Sequence, residues 1–489
     1  MKFEKNVRIY NNNIKAFREF ESIVNKTFSF SNETGSRTVK KILATYTVEK
    51  TRISCFSFLY IGICIFLFIP FLIYLTSKFV FTKSTIPKNL NYDILFENWG
   101  KNKKDNNSYF EKFYRKIFQN MPNAKIGILE SNIFEKSSPL DFENIEIIRR
   151  GLFLPRNIVG RVLKYCLKYF FKIIYLSLKY KINFLLIFLH IFRQYSYHTL
   201  TVQNINKVKY LISAYDNGYT PLLYDVYKKN GIDNVFLIQN GIRIDLSISG
   251  YYISCDKFFT LSKIMKNGYL GLKVNDEIVN VGSLKLFNNI YKLKEKAVFG
   301  TYDIVFLEQS GPDNTSAEGT DKFHLRKNSM LALKYLSTFS NKHKNMKILY
   351  QKKPTIVRGK GYDYFIDERD KILNTSNILL HEKNDYNSYQ ALLEGKVIVY
   401  THTTLGLEAI SLGKRVLCCN FVNLDFVLSQ DDEIGVLIDC DYSKFENKLI
   451  RLLSNKGNEL VDEYYNEKMN QFGKVSNNPF LDIILRINI

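Results

Sequence analysis

Between Lys396 and Cys419 the chain reads KVIVYTHTTLGLEAISLGKRVLCC, and that run leaves few folds open. Val397 to Tyr400 is a short apolar strand. Leu405 to Leu412 has the length and composition of a short helix, and Gly413 suits its C-terminal stop. Arg415 to Cys419 is a second strand. A strand, a helix and a strand in that order predict neighbours in a parallel sheet. The helix N-terminus then opens at the carboxyl end of the sheet, where open α/β sheets bind ligands.

The same alternation runs along much of the chain. KIGIL (125–129) and KVKYLISAY (207–215) read as strands. TPLLYDVYKKNG (220–231) reads as a helix with Pro221 in its first turn and Gly231 at its end. NVFLIQNG (234–241) is a strand entering a glycine turn, and KFFTLS and EIVNVGS carry the pattern to about 283. A second series begins at YDIVFLEQSG (302–311) and continues through MKILYQKKP, NILLHEKN and the opening unit. Two series predict an α/β protein of two doubly wound, Rossmann-like domains, joined near 285–300. A chain of 489 residues is also too long for one ordinary core. The helical stretch 442–473 either caps the second domain or crosses back to the first.

The formal net charge of +22 suggests a polyanionic partner: a membrane surface, nucleic acid or phosphorylated substrates. Abundant Lys, Asn, Ile, Tyr and Phe also fit a simple compositional bias. The basic residues are dispersed and form no nucleic-acid motif, so no nucleic-acid partner is expected. The seven cysteines (Cys55, Cys64, Cys166, Cys255, Cys418, Cys419 and Cys440) make no CxxC pair and no Cys/His set. A reducing compartment and no structural zinc follow.

Ile53 to Ser77 is a run of 25 uncharged residues. As a helix it would span the roughly 30 Å hydrocarbon core with some tilt. It is read as an N-terminal hydrophobic anchor, with a re-entrant segment or a buried core helix as alternatives. A second segment, Arg161 to Lys181, is a basic amphipathic helix. At 100° per residue Arg161, Lys164, Lys168, Lys172 and Lys179 fall within about 80° of one another. Such a stripe suits an anionic leaflet, or simply solvent. The apolar INFLLIFLHIF that follows is expected to continue the helix.

Three stretches of the second half carry candidate chemistry. Thr403 and Thr404 sit where N-cap hydroxyls and free backbone N–H groups meet an anion, or merely cap the helix. Glu408, in the same helix, can accept hydrogen bonds from a ribose diol. Gly406 lets a ligand approach closely. Lys352 and Lys353, after KILY, can meet phosphate or be a solvated pair. Ser310 and Gly311 end the first strand of the domain, a natural loop for phosphate or leaving-group oxygen. His402 is an additional candidate facing the cleft or filling a strand end.

THTTLGLEAISLGKRV, with HEKNDYNSYQALLEGKVIVY before it, resembles the donor-site region of bacterial GT-B glycosyltransferases. The resemblance is to the surface-carbohydrate group related to capsule Kdo transferases, in which a Ser/Thr-Thr-Gly-x-Glu-Ala segment precedes Gly-Lys. LISAYDNGYTPLLYDVYKKNGIDNVFLIQNGIR resembles the acceptor side of that group, and VGSLKL (281–286) the end of its N-terminal domain. The resemblance covers roughly 90–440 and leaves 1–81 outside.

The resemblance implies sugar transfer from a nucleotide-sugar donor to a surface polysaccharide, such as capsule or lipopolysaccharide, or to a lipid-linked glycan. The chain is expected to divide into a polar segment (1–52), a membrane anchor (53–81), and the two domains to which the resemblance gives roles, an acceptor-side α/β domain (82–295) and a nucleotide-sugar-binding domain with C-terminal helices (296–489). The expected place is the cytoplasmic side of the inner membrane, with an anionic membrane as partner. No cofactor is expected beyond the donor, and no metal, because helix N-termini and lysines can neutralise the leaving phosphate. An inverting transfer needs a base: Asp216, directly after YLISAY, is the first choice, and Glu130, after KIGIL, the second. Tyr215, Gln239, Asn240 and Arg243 are candidates for holding acceptor or sugar hydroxyls. The rival readings are a CDP-polyol phosphotransferase of teichoic-acid type and a non-catalytic membrane scaffold. A nucleotide-sugar 2-epimerase shares the fold, but an anchor argues against it.

Overall fold

The computed structural model describes residues 10–45, 66, 70, 73, 90–98, 113–130, 145–148, 154–214, 220–241, 252–262, 272–293, 298–308, 322–352, 362–380, 388–401, 403–421, 434–454, 459–472 and 478–487. The first part runs α1 (Ile14–Phe28), α2 (Asn32–Thr45), β1 (Leu90–Asn98), α3 (Arg115–Gln119), β2 (Ile126–Glu130), β3 (Ile145–Ile148), α4 (Arg156–Tyr180), α5 (Phe184–Val202), β4 (Ile205–Ser213), α6 (Pro221–Lys229), β5 (Ile232–Ile238), β6 (Ser254–Thr260), β7 (Lys273–Asn280) and α7 (Leu284–Leu293). The second runs β8 (Tyr302–Leu307), α8 (Lys322–Lys342), β9 (Ile348–Gln351), α9 (Tyr362–Asn374), β10 (Ile378–Leu380), α10 (Ser388–Glu394), β11 (Gly395–Tyr400), α11 (Thr404–Ser411), β12 (Arg415–Cys419), β13 (Val436–Leu437), α12 (Tyr442–Leu453), α13 (Glu459–Phe472) and α14 (Pro479–Ile484).

Each series forms one parallel sheet, as expected. The first has seven strands in the order β3-β2-β1-β4-β5-β6-β7, and the second six in the order β10-β9-β8-β11-β12-β13. Both orders start centrally and wind outward in two directions. Helices therefore cover both faces, and β8, β11 and β12 of the second sheet are buried along most of their length. Alternation along the strands splits the first core in two. Ile94, Phe96, Ile212 and Phe236 pack on one face with Tyr114. Leu95, Leu211 and Leu237 pack on the other with Val162, Phe188 and Tyr227. The second sheet has its own core, from Val305 and Ile398 to Phe445 and Tyr465.

The α6 unit shows why the sequence was legible there. Thr220 caps the helix by accepting from Leu223 N, Pro221 takes the first turn, and Gly231 follows at φ +89°. A Cβ at Gly231 would lie 2.1 Å from the Asn206 carbonyl oxygen.

Several expectations need revision. Residues 10–45, read as part of a polar segment, form α1 and α2, whose Phe17, Phe20 and Val24 belong to the first core. The helix from Arg161 does not continue through INFLLIFLHIF. Lys181 is left-handed at φ 54°, and Asn183 caps a new helix, α5, by accepting from Leu186 N. The basic stripe is not wholly solvated, since Arg161 turns inward and donates to Tyr195 Oη at 2.9 Å. The joint at 285–300 contains α7, whose Leu286 and Ile290 pack on Leu393 of the second half. Helices α12 and α13 cap the second domain, while α14 returns to the first core through Phe480 and Ile483. Among the described residues no helix is long and apolar enough to cross a membrane. Of the run 53–77 only Phe66, Pro70 and Ile73 are described. They are helical and exposed, and the anchor otherwise lies outside the described residues.

Candidate functional site

In each sheet two adjacent strands send the chain off in opposite directions, and a crevice opens at their carboxyl ends. In the second sheet these are β8 and β11. Thr401 and Thr403 follow β11, so the segment singled out in the sequence lies at this switch point. Thr403 is the N-cap of α11: its Oγ1 accepts from Leu405 N at 3.4 Å, and its carbonyl accepts from Gly406 N at 3.1 Å. Thr404 is the first helical residue. The α11 N-terminus thus brings its partial positive charge to the crevice.

Glu408 is buried one turn further on. Its Oε1 accepts from the Ser283 hydroxyl and, at 3.5 Å, from Tyr389 Oη. Burial holds this carboxyl above the ordinary carboxylate range, against the opposing effects of Ser283, the Lys285 charge and Tyr389. Gly406 has a structural reason of its own. A Cβ there would lie 2.4 Å from Cδ2 and Cε2 of the fully buried Tyr400 ring, so the glycine lets α11 sit on β11.

The first sheet has its switch point between β1 and β4. Tyr114 Oη donates to the Glu97 carbonyl at 2.7 Å and accepts from Ala214 N at 2.8 Å, which fixes both strand ends. Asp216 comes two residues after Ala214. It lies outside the described residues, with Tyr215, Arg243, Ser310, Gly311, Lys353 and His402. Glu130 is the last residue of β2, opposite Asn98 of β1. Lys352 directly follows β9, and its carbonyl accepts from Gln351 Nε2 at 2.8 Å.

The Gln-Asn-Gly turn divides its labour. Gln239 is buried, its amide donating to the Gly241 carbonyl at 3.0 Å and accepting from Leu261 N at 2.9 Å. Its side chain ties the turn to β6. Asn240 donates to the Ala214 carbonyl at 2.8 Å, and its own carbonyl accepts from Lys285 Nζ at 2.7 Å.

Ser283 and Lys285 are the residues that sequence reasoning missed. Ser283 caps α7, accepting from Leu286 N at 3.2 Å while donating to Glu408. The pair therefore forms a seam from Ala214 through Asn240 and α7 to Glu408, joining the carboxyl edges of the two sheets. VGSLKL was the available signal, a serine followed by a lysine at a domain end. A second unforeseen pair lies under the crevice. Glu308, at the end of β8, and Arg369 of α9 are both buried, 3.5 Å apart. Lys414 of the Gly-Lys pair serves packing: its Nζ donates to the carbonyls of Leu393 and Gly395 at 2.7 Å each, closing the C-terminus of α10. Among the described residues no group of three His, Cys, Asp or Glu is placed to hold a metal ion.

No family model and no curated protein matches the chain. Solved structures similar to it include the UDP-GlcNAc 2-epimerase from Neisseria meningitidis bound to UDP-GlcNAc, at 13% identity, 81% of this chain, 99% of that chain and TM-score 0.41. A second is a Medicago truncatula protein complexed with UDP-glucose, at 12% identity, 83% of this chain, 100% of that chain and TM-score 0.39. A third is the wall teichoic acid polymerase TagF, at 12% identity, 89% of this chain, 97% of that chain and TM-score 0.40.

Proposed function

We infer that the chain is a GT-B-type glycosyltransferase that moves a sugar from a nucleotide-sugar donor to a surface polysaccharide or a lipid-linked glycan. The observation that carries this reading is the α11 N-terminus at the switch point of the second sheet, with the Glu408 carboxylate in the next turn and a seam leading to the first sheet's crevice. The Thr403 cap and the N-terminus of α11 take the donor phosphate, supported by Lys352, Lys353, Ser310 and Gly311. Glu408 already accepts a hydroxyl from Ser283, and a ribose diol makes the same demand on it. Asp216, two residues beyond Ala214 in the sequence, is assigned the base, with Glu130 next in line. Tyr215, Asn240 and Arg243 hold hydroxyls on the acceptor side, and Gln239 keeps the turn in shape.

The transfer is assigned no metal and no cofactor, because the helix dipole and lysines supply the charge that a leaving nucleotide needs. The acceptor places the enzyme at the cytoplasmic face of the inner membrane, with an anionic leaflet as partner. The deciding experiment is a thermal-shift screen against CMP-, UDP-, GDP- and CDP-linked sugars, followed by a turnover assay with the donor that stabilises. Stabilisation by one nucleotide-sugar class, lost in Glu408→Ala, supports the reading. A response to CDP-polyols alone moves it to phosphodiester formation, and binding without turnover moves it to a scaffold.

A further inference from the structure

Helix α4 presents an outer face that the sequence alone did not resolve. Val162, Cys166, Ile173 and Leu176 are buried against the first domain. Outward, the lysines do not stand alone. Leu167 is 56% exposed, Phe171 80% and Tyr175 56%. On a helical wheel these three and Lys164, Lys168, Lys172 and Lys179 share an arc of about 140°, with Leu167 and Phe171 along one edge. Lys179 donates to Tyr175 Oη at 3.1 Å, and Lys172 pairs with Glu19 of α1 at 3.3 Å. The chain has no acidic residue between Glu146 and Asp216, so α4 itself carries none. At about 1.5 Å per residue the helix offers a straight contact some 37 Å long.

We propose that this face of α4 lies in the interface of an anionic lipid bilayer, with Leu167 and Phe171 entering the acyl boundary and Lys164, Lys168 and Lys179 meeting lipid phosphates. The chemistry selects the occupant. A leucine and a phenylalanine side by side in water gain from hydrocarbon, while lysines on the same arc gain from negative headgroups. A second copy of the chain would bring its own lysines against these. The proposal deepens the membrane reading above by naming the surface. Its test uses neither donor nor turnover, so the two can fail separately.

The full chain is prepared as Trp99→Phe, which removes its sole tryptophan, and Phe171→Trp is added as a reporter. Leu460→Trp, on α13 and also exposed, is the control. Vesicles of phosphatidylcholine, with or without phosphatidylglycerol, carry brominated acyl chains that quench only tryptophans reaching the hydrocarbon boundary. The expected result is a blue shift and quenching of the reporter at 171, stronger on anionic vesicles and weakened by salt. The control at 460 stays unquenched. Lys164→Gln with Lys168→Gln lowers the engaged fraction constant by roughly thirtyfold, at about fivefold per cation. An unquenched reporter overturns the proposal, whether the chain sediments with vesicles through another segment or stays in solution. Equal quenching on neutral and anionic vesicles, or at both positions, overturns it too. A concentration-dependent dimer dissolved by Phe171→Gln, with no quenching, would assign the face to a second copy.

Discussion

Replacing Gly406 by alanine tests how the donor-side helix is held. In an open helix this change gains about 1 kcal/mol. Here the new Cβ would meet the Tyr400 ring at 2.4 Å from Cδ2 and Cε2 and 2.5 Å from Cγ. Carbon atoms settle at about 3.5 Å or more, so helix or ring must move by about 1 Å. The ring has nowhere to go: Tyr400 is fully buried on β11, among the second core. Overpacking of this kind costs about 1–3 kcal/mol, leaving a net loss of up to about 2 kcal/mol after the helical gain. If the helix moves instead, the Thr403 end of α11 shifts at the switch point, and a displacement of about 1 Å is enough for a hundredfold loss in turnover. The assay is urea denaturation of Gly406→Ala, Tyr400→Leu and the double variant, with donor affinity measured alongside. With the ring gone, Gly406→Ala should cost nothing further or stabilise slightly. An equal change in both backgrounds refutes the packing account.

Glu408→Ala should weaken nucleotide binding by about 1–3 kcal/mol, the loss of a charge-assisted hydrogen bond; unchanged affinity by calorimetry removes Glu408 from the site. Because burial raises the Glu408 pKa in the folded state above its ordinary 4.5, the folded chain holds that proton more tightly than the unfolded one. Its contribution to stability is therefore fully present below about pH 4.5 and lost as pH rises through the folded value. Glu408→Gln should remove this slope from a pH series of denaturation midpoints. Ser283→Ala takes away both the α7 cap and a donor to a buried carboxylate, and should cost about 1–3 kcal/mol; a neutral result in denaturation would dissolve the seam. Asp216→Asn should leave donor binding intact and slow the chemical step by about a hundredfold or more; near-parental single-turnover rates would pass the role to Glu130.

The sequence was readable where structure is local. Thr220, Pro221 and Gly231 mark α6 within a dozen residues, and Thr403 to Gly413 mark α11 in the same way. Strand β1 was missed, although it borders the switch point of its sheet, because Asn91, Asp93 and Glu97 interrupt its apolar run. Distant partners make those residues tolerable there. Asp93 accepts from Lys125 N at 2.8 Å, and buried Glu97 accepts from Tyr227 Oη at 3.0 Å. The site divides along the same line. The Thr403 cap and Glu408 belong to one short motif, whereas Ser283 reaches Glu408 across 125 positions of sequence. No spacing rule carries that information. The Gly-Lys pair was seen, but its lysine closes a helix through Leu393 and Gly395, 21 and 19 positions upstream.

The return of α14 ties the making of the first domain to the making of the second. Phe480, Ile483 and Ile487 fill the same core face as Ile94, Phe96 and Tyr114. A ribosome releases those three side chains only after the whole second sheet has emerged. Until then the face beneath β1 and β4 is short of apolar cover, at about 1.5–3 kcal/mol for each large side chain withheld. The first sheet therefore waits, partly open, until residues 480–487 have emerged. This reverses the usual order in which an N-terminal domain finishes first. It also means that cutting the gene at the joint near 295 yields an N-terminal half lacking part of its own core.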